Sequence, residues 1–252
     1  MLQTGATHLR TSLVLFGRPS LWFEGSEIDL GPNKQRGILA VLALGQGQHI
    51  SASTVIDRVW GTEPPTRARE LLYNYVARLR SRLASVPGVG IKSSNGYSMT
   101  LEDESVDVFR FRRIVADARL VSGSQQQVHL LREGLALWRD EPLAGLQGAW
   151  FSAMRASLET QRTIAIVERF ELELQLGMHR VIVDELSALH AQSPGSEPLA
   201  CLLMRAFTRC DLQTEALRVF RDTHRTLSEL YGVEPGKRLC DLHHAVLSGA
   251  AI

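Results

Sequence analysis

Residues 64–83, PPTRARELLYNYVARLRSRL, limit the fold more than any other part of the chain. At 3.6 residues per turn, Leu72, Val76, Leu79 and Leu83 recur as i, i+4, i+7 and i+11, which is one apolar stripe on a helix. Off that stripe, Arg67, Arg69, Arg78, Arg80 and Arg82 stand against a single acid, Glu70. One face therefore needs a protein core and the other suits a polyanion. Thr66 stands where an N-cap is expected after the two prolines, and Glu70 falls one position late for a capping box. Alone, the stretch fits a solvated arginine-rich helix as well as one that reads nucleic acid.

The flanking sequence narrows the choice. Residues 12–16, 21–24 and 27–30 read as short strands separated by Gly17-Arg18-Pro19 and Gly25-Ser26, a small antiparallel meander. Residues 32–44 read as a helix packing through Ile38, Leu39, Val41 and Leu42, with Gly37 inside it at a small propensity cost. Residues 53–60 form a second, capped by Ser51 or Ser53 and stopped by Gly61. After the basic helix, 91–93 and 97–101 alternate around Ser94-Asn95-Gly96, a hairpin signal. Three helices closed by a hairpin make a winged helix, whose third helix enters the major groove.

From Val106 onward the pattern is helical. Phe111, Ile114, Val115 and Ala118 share one face, and Val128, Leu131, Leu135 and Trp138 share another, before the break at Asp140-Glu141-Pro142. Further helices are expected over 149–176, 180–192, 198–209, 212–231 and 235–247. Ile182, Leu186 and Leu189 map onto Ala216, Phe220 and Thr223 at an offset of 34 residues, the tetratricopeptide period, without its signature Trp and Gly. The expected class is mainly α with a small β component. It comprises a winged helix-turn-helix over 11–102 and an all-α tetratricopeptide-like domain over 106–249, with a concave surface for a partner.

Charge divides the same way. Residues 1–100 carry 11 basic and 6 acidic side chains, and the rest carry 17 and 21, beneath a net charge of only +1. Three cysteines, Cys201, Cys210 and Cys240, share no metal-ligand spacing and read as buried thiols of a reducing compartment. No apolar run has the length of a membrane span, and MLQTGATHLR lacks the apolar core of a signal peptide. A cytoplasmic protein with a short loose N-terminus and no membrane partner is expected.

Enzyme chemistry finds little support. GPNKQRG at 31–37 lacks the GK[ST] ending of a phosphate loop. His243 and His244 beside Cys240 and Asp241 point about 100° apart on a helix and converge poorly on one ion. Glu102, Asp103, Glu104 and Asp107 form a run rather than an opposed pair, and read as a linker and helix N-terminus. Trp138, Trp150 and Phe151 read as core. No cofactor is expected.

At this point the chain resembles a known family. The meander, KQRGILAVL, VIDRVWGTEPP, ARELLYNYVARLRSRL and NGYSM are similar to the OmpR-type DNA-binding domain, in the version found in the Streptomyces antibiotic regulatory proteins. LREGLALWRDEPLAGL and VFRDTHRTLSELYGVEPG are similar to that family's bacterial transcriptional activator domain. The resemblance implies an activator that binds tandem direct repeats in promoter DNA as a homodimer. It would recruit RNA polymerase, through its sigma factor, to secondary-metabolite genes.

Helix geometry and the resemblance together assign roles. Arg78 is the candidate for bidentate contact with guanine and Asn74 for adenine; Arg80 and Arg82 suit phosphate, Arg69 suits phosphate or plain solvation, and Arg67 is a DNA-binding candidate on the same outward face. In the wing, Ser98 replaces the basic residue often found after Gly-Tyr, leaving Lys92, Ser94 and Asn95 as backbone contacts. Thr62, Glu63 and Pro64, before the recognition helix, correspond to a polymerase-contacting loop; the same residues also suit a rigid turn. The competing reading is a helical-repeat scaffold whose winged domain binds protein, and a third gives the helical domain a small-molecule effector.

Overall fold

The computed structural model describes residues 11–250; the expectation for the first ten residues lies outside them. Contacts group the chain into two compact units. One runs up to Asp117 and includes Glu133–Arg162, and the other comprises Ala118–Arg132 and the chain from Thr163.

The first unit opens with β1 (Thr11–Val14), β2 (Ser20–Phe23) and β3 (Ser26–Ile28), an antiparallel sheet in which Leu13 faces Leu21 and Leu21 faces Ile28. Helix α1 (Asn33–Ala43) buries Ile38, Leu39, Val41 and Leu42, as the apolar pattern demands. Within KQRG, Arg36 is buried as well, donating to the carbonyls of Pro19 and Gly31 at 2.6 and 3.0 Å, so it closes the meander onto α1. Helix α2 (Ala52–Trp60) is capped by Ser51, whose Oγ accepts from Thr54 N at 3.1 Å, and stops at Gly61, φ +70°.

Helix α3 (Ala68–Leu83) buries Leu72, Val76, Leu79 and Leu83, each burial favouring the fold by about 1.5–3 kcal/mol. Its N-terminus corrects the expectation for Thr66. The cap position is Arg67, which supplies no side-chain cap bond, because a turn closed by Ala68 N on the Pro65 carbonyl at 2.9 Å precedes the helix. Strands β4 (Gly90–Ser93) and β5 (Tyr97–Thr100) form the wing. Tyr97 and Ile50 exchange N–H···O bonds of 2.8 Å, joining the wing to the loop before α2.

A short 3₁₀ turn (Asp103–Ser105) leads into α4 (Asp107–Leu120), and α5 (Ser124–Leu135) follows. Trp138 does not continue the α5 face as expected. Leu137 N and Trp138 N bond to the carbonyls of Gly134 and Leu135, ending the helix in turns, and Trp138 stacks on Phe16 at 3.9 Å. Leu143, fully buried with φ +57°, is held by its N–H on the Leu15 carbonyl at 2.8 Å, while Arg155 donates to the carbonyls of Pro142 and Leu146.

The second unit takes the C-terminal part of α6 (Ala149–Gln175), then α7 (His179–Gln192), α8 (Glu197–Arg209), α9 (Gln213–Thr226) and α10 (Lys237–Ser248). Helices α7 and α9 each pack on α8. Ile182 and Ala216, which the 34-residue offset pairs, are both buried at the core around Phe170, Leu174, Leu186 and Leu203. The expected helix over 212–231 becomes π-helical over Leu227–Tyr231 and ends at Gly232 in the left-handed region, φ +66°. Of the cysteines Cys201 is buried, whereas Cys210 and Cys240 are half-buried. No helix among the described residues is long and apolar enough to cross a membrane.

Candidate nucleic-acid interface

The interface is built on α3, and its orientation follows from the stripe that faces inward. Trp60 stacks on Tyr75 at 6.3 Å, and Lys34 lies over Trp60 while donating to the Val59 carbonyl at 2.7 Å. Together these contacts fix α2 and α3 against α1. Burial lowers the pKa of the Lys34 ammonium, since leaving water disfavours its charged form.

The outward face carries Arg67, Arg69, Glu70, Tyr73, Asn74, Ala77, Arg78 and Ser81, all exposed. Arg67 pairs with Glu70 at 3.7 Å, an exposed contact worth at most about 1 kcal/mol. Arg69, Asn74 and Arg78 have no hydrogen-bonded or ionic partner among the described residues, so their donors are available to a ligand. A guanidinium in that state offers the forked geometry that matches guanine or phosphate.

Arg80 and Arg82 behave differently. Arg80 Nε donates to the Ile91 carbonyl at 2.9 Å and an Nη donates to Ser93 Oγ, tying the third helix to the first strand of the wing. Arg82 is bound to the carbonyl and carboxylate of Asp29, and that bond holds the Asp29 carboxyl below its usual pKa. Both arginines are half-buried and keep further N–H groups. Helix, wing and meander are thus cross-linked by the charges expected on phosphate.

Lys92, Ser94 and Asn95 are exposed at the wing tip, where Asn95 adopts φ +58°. Gly96 follows at φ +156°, and a Cβ there would lie 2.4 Å from the His49 ring and 2.5 Å from the Ile50 carbonyl. Thr62, Glu63 and Pro64 are exposed between α2 and α3.

Two features escaped the sequence reading. Tyr73 stands exposed off the apolar stripe, and an aromatic off-register with its helix was the available signal. Asp107, grouped with linker acids, is buried within the first unit, where Leu15, Phe16 and Val108 donate their backbone N–H groups to it. Among the described residues no group of three or more His, Cys, Asp or Glu side chains is arranged for a metal. His243 stacks flat on Phe220 at 3.8 Å.

Comparisons with known proteins agree with this architecture. Residues 25–99 match the family described as "Transcriptional regulatory protein, C terminal", and residues 106–247, more than half the chain, match "Bacterial transcriptional activator domain". Regulatory protein AfsR of Streptomyces coelicolor is 35% identical over 237 residues, which cover 92% of this chain and 24% of AfsR, so the chain spans about a quarter of that relative. Regulatory protein DnrI of Streptomyces peucetius is 29% identical over 88% of this chain and 87% of its own. The solved structure of Mycobacterium tuberculosis EmbR, in complex with a low-affinity phosphopeptide, superposes with a TM-score of 0.85 at 25% identity, covering 96% of this chain and 66% of that one. The chain belongs to the Streptomyces antibiotic regulatory protein family of transcriptional regulators, and it joins an OmpR-type winged helix to a bacterial transcriptional activator domain.

Proposed function

We propose that this regulator is a sequence-specific DNA-binding activator. Residues 11–102 act as its DNA-binding domain, and residues 106–249 as its activator domain. The observation that carries the reading is the outward face of α3, where Arg69, Asn74 and Arg78 stand exposed and unpartnered beside a wing held by Arg80. In the major groove, Arg78 addresses guanine and Asn74 adenine, while Arg67, Arg69 and the spare donors of Arg80 and Arg82 engage phosphate. Lys92, Ser94 and Asn95 lie on the flanking backbone.

Two copies bind tandem direct repeats in the same orientation, and the exposed loop of Thr62, Glu63 and Pro64 meets RNA polymerase at its sigma factor. The family and the relatives AfsR and DnrI support a target among antibiotic biosynthesis genes. Footprinting the promoters around the gene, followed by transcription with purified RNA polymerase, tests this. Protection of repeated half-sites on one face of the duplex is expected. Transcription should rise with wild type and stay at the basal level with Glu63→Ala, while the footprint persists. Uniform protection, or activation indifferent to Glu63, would refute the corresponding part.

A further inference from the structure

Tyr73 is the side chain on α3 that neither the fold nor the charge pattern explains. It is 65% exposed, and among the described residues of the first unit it is the large apolar side chain left open to water. Tyr75, two positions on, is half-buried and stacked on Trp60, whereas Tyr73 has no ring contact and no hydrogen-bond partner among the described residues. One turn further along the helix stands Ala77, also exposed. Together they form a short apolar strip on a surface that otherwise presents Arg69, Asn74 and Arg78.

The chemistry of the major groove has one apolar counterpart for such a strip. Guanine, cytosine and adenine present only donors and acceptors there, whereas thymine adds its 5-methyl group. A tyrosine ring offers a broad, stiff apolar face at low entropic cost. Placed beside arginines that hold the backbone, it can exclude water from a methyl that no guanidinium or amide can satisfy.

We propose that Tyr73, with Ala77 beside it, is a specificity-determining residue that packs on the 5-methyl of a thymine in the recognised half-site. The proposal rests on the reading of α3 as the recognition helix.

The test uses the full-length protein and the promoter fragment it protects, synthesised with each thymine in turn replaced by uracil, which deletes only the methyl. Wild type should lose about fourfold in affinity at one or two positions, the worth of one buried methyl group. Tyr73→Ala should bind the parent fragment more weakly and no longer distinguish thymine from uracil at those positions, whereas Tyr73→Phe should keep the distinction. Both substitutions are at an exposed site, and unchanged circular dichroism confirms the fold.

Wild-type indifference at every thymine, or discrimination that survives Tyr73→Ala, overturns the inference while leaving the DNA reading in place. Loss of the distinction in Tyr73→Phe as well as in Tyr73→Ala assigns the effect to the hydroxyl rather than to the ring and overturns it too. A defect of Tyr73→Ala confined to cooperative binding on tandem sites, absent on a single site, assigns the ring to a second copy of the chain and likewise overturns it. Failure of wild type to prefer any promoter fragment over random DNA refutes the underlying reading, which is a separable result.

Discussion

Asp107 accepts the backbone N–H of Leu15 on both carboxylate oxygens, at 2.9 and 2.8 Å, across 92 residues of chain. The same carboxylate takes Phe16 N and Val108 N, each at 2.8 Å, so one acid at the start of α4 satisfies donors at the end of the first strand. Burial nevertheless pushes its pKa from 3.8 up to about 6, against the pull of those donors and of Arg139.

The sign of the resulting pH dependence follows directly. A folded-state pKa above the unfolded one means that the folded state binds more protons between them. This contribution is therefore full below about 4 and lost as pH rises through about 6. Urea unfolding from pH 4 to 7 should show wild type losing stability relative to Asp107→Asn, by on the order of 3 kcal/mol at most. A constant difference across that range would contradict the shift.

Arg80 joins α3 to the wing through Ile91 and Ser93, so Arg80→Ala should loosen the hairpin before it unfolds the domain. Hydrogen exchange at Ile91–Ser93 should accelerate, with a stability loss of about 1–3 kcal/mol. Arg80→Lys should restore little of it, because an ammonium lacks the guanidinium fork. Full protection in the lysine variant would count against this tie.

Gly96 is placed where a side chain meets backbone. With φ +156° and the Ile50 carbonyl 2.5 Å from a built Cβ, Gly96→Ala should break the pairing of Tyr97 with Ile50. A cost of about 2 kcal/mol or more is expected. A thermal midpoint equal to wild type would show that the wing turn adapts.

In the second unit, fully buried Glu173 accepts from Arg132 Nε at 2.8 Å and lies 3.7 Å from buried Arg169. Glu173→Ala leaves Arg169 without that charge partner and should destabilise by about 3–5 kcal/mol, read as a lowered urea midpoint. A loss below about 1 kcal/mol would mean that the pairing of Arg169 with Glu185 suffices.

Much of this was legible in the chain because burial imposes periodicity. The stripe of Leu72, Val76, Leu79 and Leu83, the turn at Ser94-Asn95-Gly96 and the 34-residue echo of Ile182 in Ala216 each follow from local pattern. What escaped depends on distant partners. Asp107 resembles any solvated acid until Leu15 and Phe16 are folded over it. Trp138 matched a helical face, yet tertiary stacking on Phe16 holds it in a loop. Arg80 and Arg82 share the charge of Arg78, and only their distances to Ile91 and Asp29 set them apart. Exposure singles out Tyr73, which only the fold separates from its half-buried neighbour Tyr75.

The most direct test of the DNA-reading account is fluorescence anisotropy of labelled promoter fragments from around the gene, titrated with wild type and Arg78→Ala across a salt series. The account predicts tight binding to one fragment, poor competition by random DNA and a fall in affinity with salt. Arg78→Ala should cost about 1–3 kcal/mol on that fragment without loss of fold. Equal, weak binding to every fragment, unchanged by Arg78→Ala, would contradict it and leave the winged domain as a basic surface on a helical scaffold.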